Sequence, residues 1–117
     1  MIDLTGMTVL IAEPYASVAS GLCLIIEQWG GTCRVVCSSS KLHASLQSLT
    51  PDLMLINIDL AGGREEVEVL SRSYPTMIVA MAARFRTAAE DNCDTVTCLE
   101  MPFTMGDLQL AVRSVLP

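Results

Sequence analysis

Apolar positions along the chain alternate between two spacings. Thr8-Val9-Leu10-Ile11-Ala12 is a short apolar run halted by Glu13-Pro14, and a run this short and β-branched predicts a buried strand. From Tyr15 the spacing changes: Val18, Leu22, Ile25, Ile26 and Trp29 recur at helical intervals, and Gly30-Gly31 marks a C-terminal stop. Residues 32–37, rich in β-branched side chains, predict a second strand. Ser38-Ser39-Ser40 offers capping hydroxyls, Leu42, Leu46 and Leu49 share a helical face, and Pro51 closes that helix. Leu53-Met54-Leu55-Ile56 is apolar at every position, as expected of a central strand covered on both faces. It runs into Asn57-Ile58-Asp59 and a turn at Ala61-Gly62-Gly63. Residues 64–73 predict a third helix with Val67, Leu70 and Tyr74 inward, ended by Pro75. Residues 77–81 predict a fourth strand, the polar stretch 87–92 a short helix, and residues 95–99 a fifth strand. Thr104 and Asp107 have the spacing of a capping box for a last helix, on which Leu108, Ala111, Val112 and Val115 share a face.

Strands that alternate strictly with helices imply a parallel sheet, right-handed crossovers and helices on both faces: an α/β three-layer sandwich. Residues 1–7 are expected to be a lead-in or linker, and residues 8–117 a single domain. Ligands and chemistry in such folds gather at the carboxyl ends of the strands. Those ends fall at Glu13, Asn57, Ala82-Ala83 and Met101-Pro102.

Composition narrows the classes. With 51% hydrophobic and 17% charged residues the chain is too apolar for disorder, and its longest apolar runs are far short of the roughly 20 residues of a membrane span. Only 4% of residues are aromatic, so the core must be aliphatic, helped by seven methionines. The net charge of −6 repels a phosphate backbone, so no nucleic-acid partner is expected, nor membrane contact by this domain. The cysteines, at positions 23, 33, 37, 93 and 98, form no Cys-x-x-Cys pair, and Cys33 and Cys37 have only His43 to help them bind zinc. Small buried hydrophobes in a reducing compartment are the better reading, so no metal and no cofactor are expected. The N-terminus lacks a signal-peptide pattern, which places the chain in the cytoplasm. Glu65, Glu66 and Glu68 read as a solvated helix start, where acids favour the helix dipole, and His43 as an exposed helix position.

Several stretches, in order and over about residues 8–116, resemble the receiver domain of two-component signalling. Val9-Leu10-Ile11-Ala12-Glu13 stands where that family has an apolar strand ending in an acidic pair. Pro51-Asp52-Leu53-Met54-Leu55-Ile56-Asn57 stands where it has Pro-Asp-Leu, a strand and the phosphoacceptor aspartate. Met101-Pro102-Phe103 stands where it has Lys-Pro-Phe. The opening 4–10 and Trp29-Gly30-Gly31 are similar to receivers embedded in hybrid histidine kinases. The resemblance implies a flavodoxin-like (βα)5 sandwich with a parallel sheet of order 2-1-3-4-5. It also implies an aspartate nucleophile, acids holding Mg²⁺, a hydroxyl after the fourth strand and a lysine after the fifth that neutralises the phosphoryl charge.

The matching positions depart from that set. Asn57 replaces the nucleophile, Glu13-Pro14 leaves one carboxylate of two, Ala82 (or Ala83 after it) replaces the hydroxyl, and Met101 the lysine. Cys98 stands at the position of the family's switching aromatic residue. The expectation is a non-phosphorylatable pseudo-receiver with no catalysis of its own, acting as a regulatory protein–protein interaction module in phosphorelay signalling. Its ending at Pro117 without an output domain suggests a piece of a longer signalling protein, such as a hybrid histidine kinase. Expected partners are kinase domains of the same or a cognate signalling protein, or a second copy of the chain. Candidate contact residues are Phe85 between Arg84 and Arg86, an arrangement typical of binding hot spots, with Leu110, Leu116 and Leu24 off the core-facing stripes. Two alternatives stand beside this reading. Arg84, Arg86 and nearby Asp91 or Asp94 would suit a cyclic dinucleotide, and an atypical receiver would still accept phosphate at Asp59 or Glu13.

Overall fold

The computed structural model describes residues 2–83 and 96–117. Among them, five strands and five helices follow one another as β1 (Thr8–Ala12), α1 (Ala16–Gln28), β2 (Thr32–Val36), α2 (Ser39–Ser48), β3 (Leu53–Asn57), α3 (Ile58–Ala61), α4 (Arg64–Ser73), β4 (Met77–Ala83), β5 (Thr97–Met101) and α5 (Met105–Val115). The strands form one parallel sheet of order β2-β1-β3-β4-β5, the flavodoxin-like arrangement expected. β3 is central and every one of its residues is buried, which is why its sequence shows no alternation.

Period-two alternation along the strands divides the core into two layers. Val9, Ile11, Leu53, Leu55, Val79, Met81 and Leu99 point to one face, where Ala19, Leu22 and Ile26 of α1 and Leu108, Ala111 and Val112 of α5 cover them. Leu10, Ala12, Met54, Ile56, Ile78, Ala80 and Ala82 point to the other, beneath Leu42 and Leu46 of α2, Leu60 of α3 and Val67 and Leu70 of α4. Local signals start the helices where expected. Ser38 accepts from the Lys41 N–H at 3.2 Å, and Thr104 and Asp107 form a reciprocal capping box at 3.0 and 3.1 Å. Glu65 and Glu66 sit in the first turn of α4, Arg64 approaches Glu68 one turn on at 4.0 Å, and His43 is exposed.

Several expectations shift. β5 begins two residues later than expected and β4 runs two residues further, because the register Val79↔Thr97 to Ala83↔Met101 continues to the sheet's carboxyl edge. β2 stops at Val36, one residue early. A single helical turn, α3, precedes the glycine turn. The helix expected over 87–92 lies outside the described residues.

Within the lead-in, Ile2 and Leu4 are packed on the core, buried in the layer under α1, and the Leu4 N–H donates to the Trp29 carbonyl at 2.7 Å. Gly30 makes this close approach feasible: its φ of +92° suits glycine, and a Cβ there would meet Thr5 Oγ1 at 2.7 Å. Leu4→Ala should therefore lower stability by about 2–5 kcal/mol, as a core truncation does. Chemical denaturation checks this; a change under about 0.5 kcal/mol, the level of a surface site, would mean the segment is only a lead-in.

Candidate functional site

Glu13, directly after β1, is fully buried although it is an acid. Its backbone N–H donates to the Val36 carbonyl, holding the β1 end beside β2. Burying a carboxylate is costly unless donors surround it, and two are present. The Tyr15 N–H donates to Oε1 at 3.2 Å, and the Asn57 side-chain amide donates to Oε2 at 3.2 Å. The amide's other end is also engaged. Asn57 Oδ1 accepts from the Asp59 N–H at 2.9 Å and the Leu60 N–H at 3.2 Å, so Asn57 is the N-cap of α3. Among the described residues, no buried side-chain nitrogen or oxygen lacks a partner.

Beside this pair, Ala83, Met101 and Pro102 give the edge an apolar portion. A cleft of about 350 Å³ is lined by Tyr15, Asn57, Asp59, Ala83, Met101 and Pro102. The alanine in this cleft is Ala83, not Ala82. Strand parity decides it: Val79 and Met81 point to the α1/α5 layer, so Ala83 points to that side, while Ala82 faces the opposite layer. Met101 is half-buried and packs against the first layer together with Phe103. Thus Glu13, Asn57 and Met101 are brought together as expected, with Ala83 replacing Ala82. Tyr15 and Pro102 join them unforeseen. The one sequence hint for Tyr15 was its position immediately after Glu13-Pro14.

The donor set does not fit the Mg²⁺ that the receiver resemblance implies. Such an ion takes oxygens from carboxylates. Glu13 is fully buried, and both its oxygens already accept hydrogen bonds. Asp59 is exposed on the first turn of α3, at the rim of the cleft. Among the described residues no group of three or more His, Cys, Asp or Glu side chains is placed to hold a metal ion.

The interaction candidates divide. Arg84, Phe85 and Arg86 lie outside the described residues, as do Asp91 and Asp94. Leu110 is 69% exposed on α5, beside a groove that Cys98 and Glu100 of β5 also line. Leu24 is 63% exposed on α1. Leu116 is not free: it is half-buried against the first layer, where the chain leaves α5. No helix among the described residues is long and apolar enough to cross a membrane.

No protein-family model matches the sequence, and no curated protein matches it. Solved structures do match in shape. A CheY-like response regulator receiver domain from Methylobacillus flagellatus has a TM-score of 0.75 at 20% identity, over 94% of this chain and 98% of that one. A response regulator from Thermotoga maritima gives 0.76 at 11% identity, over 98% of both chains. The N-terminal domain of a three-domain response regulator/sensory box/GGDEF protein from Carboxydothermus hydrogenoformans gives 0.74 at 19%, over 92% of each. The chain has the fold of response regulator receiver domains.

Proposed function

We propose that this domain is a pseudo-receiver: a two-component signalling module that does not accept phosphate and acts by binding protein partners. Asn57 carries the reading. Its neutral amide stands where the fold would hold a phosphoacceptor carboxylate, and both ends of it are engaged, one on Glu13 and one on α3. A carboxamide cannot form an acyl phosphate. The charge of a transferred phosphoryl group would also meet Ala83 and Met101, neither of which can donate to it. The partners under this reading are kinase domains of the same or a cognate signalling protein, or a second copy of the chain, and the setting is the cytoplasm.

Acetyl phosphate with Mg²⁺ should leave the intact mass unchanged, and Asn57→Asp alone should not restore phosphorylation. A phosphoryl adduct on the unmodified chain, at Asp59 or Glu13 included, would overturn the proposal. Asn57→Asp should also destabilise the fold by about 2–4 kcal/mol at neutral pH, because a second carboxylate replaces the donor to a buried one. Like charges raise a carboxyl pKa in the folded state, so protonation favours folding and the deficit should narrow as pH falls toward about 5. Urea denaturation across pH measures this; a deficit that does not vary with pH would contradict the paired-acid account. Finally, Leu110→Asp should change stability by less than about 0.5 kcal/mol, given its exposure. It should weaken self-association in sedimentation or regulation of the kinase; if both are unchanged, the α5 face is not the contact.

A further inference from the structure

We propose that Cys23 and Cys33 form a reversible disulfide that clamps α1 to the edge strand β2. The fold brings the two thiols together through a tight reversal. After α1 the chain turns at Gly30, with the Gly30 N–H on the Glu27 carbonyl and the Gly31 N–H on the Ile26 carbonyl, and returns directly as β2. Cys33 stands in register with Val9, whose side chain lies in the layer under α1, so Cys33 points to the same face. Cys23 follows Leu22 on α1, one position round from the buried stripe of Ala19, Leu22 and Ile26. Both are free, half-buried and packed against the same layer, and Cys23 is near enough to Cys33 to push its thiol up. Cys23 Sγ also donates to Glu27 Oε1 at 3.8 Å.

The other described cysteines are placed elsewhere. Cys37 is four residues further along the chain from Cys33, about 13 Å in extended backbone, and exposed. Cys98 is exposed on β5, the opposite edge of the sheet, four strand spacings or about 19 Å from β2.

Closure needs an oxidant, and a low-molecular-weight disulfide such as glutathione disulfide supplies it. One thiolate attacks a glutathione sulfur, forming a mixed disulfide and releasing one glutathione. The second thiolate then attacks the protein sulfur of that mixed disulfide and releases the other. Two electrons pass from the protein thiols to glutathione disulfide, and the two thiol protons end on the released glutathiones. Burial first, and then the adjacent Cys23 and Glu27, push the Cys33 thiol up. Cys23 and Glu27 are the titratable groups that α1 turns toward Cys33, whereas its β1 neighbour Val9 carries none. Thiolate at Cys33 is therefore scarce at neutral pH, and closure should accelerate as pH rises.

The test incubates the whole chain with glutathione disulfide at about pH 8, quenches it by alkylation and maps the peptides by mass. Expected is a Cys23–Cys33 link, lighter by two hydrogens and reversed by dithiothreitol. The bond should form faster as pH is raised and be accompanied by a higher unfolding temperature. Cys23→Ser and Cys33→Ser should each abolish the link, while Cys37→Ser should retain it. Glutathione adducts without an internal bridge, or a bridge through any other cysteine, would overturn the proposal. Because the map is read on the unmodified chain, it decides the matter even where a serine variant fails to fold.

Discussion

The carboxyl edge of this sheet is organised around a buried carboxylate and the amide that satisfies it. Glu13 has no exposure, so its carboxyl oxygens need donors in place of water. The Asn57 amide supplies one at 3.2 Å, and its oxygen opens α3 with two backbone N–H groups. β1, β3 and the turn after β3 are thereby tied through one side chain. An aspartate at this position would present an oxygen to Glu13 where the amide now presents its N–H. The edge would then need a cation or a proton to hold two acids together. The amide removes that need.

Around this pair, apolar side chains continue the core outward. Met101 packs on the layer beneath α1 and α5, and Ala83 brings a methyl group to the cleft. The strand ends therefore bury surface where the receiver resemblance would place a lysine and a hydroxyl. Elsewhere on the surface, Tyr15, Leu24, Met105 and Leu110 leave apolar area exposed.

Much of this was legible from residue order. The uniformly apolar 53–56 announced a strand covered on both faces, Gly30-Gly31 the exit from α1, and Thr104 with Asp107 the entry to α5. The strand ends were less legible. Met77–Ala83 is seven residues long, and its last two are alanines, which carry little β preference, so local pattern stops at Met81. The same uncertainty left Ala82 and Ala83 both open, and strand parity places Ala83 in the cleft, since a shift of one residue turns a side chain to the other face. The burial of Ile2 and Leu4 in the lead-in was not legible, because two apolar residues set no periodicity of their own. The double duty of Asn57 was missed as well, although asparagine ahead of a short turn is a standard N-cap signal.

By itself the sequence determined the alternation of strands and helices, the aliphatic core, and the placing of Asn57, alanine and Met101 near the strand ends. Those are properties of residue type and spacing, which short windows of chain express. Only the tertiary structure decided that Glu13 and Asn57, 44 residues apart, are hydrogen-bonded. It also decided that Ala83 lines the cleft, that Ile2 and Leu4 pack in the layer under α1, and that Cys23 and Cys33 pack against that same layer. Each depends on sheet register and on how helices seat against it, and those follow from the packing of distant segments, which no local pattern encodes.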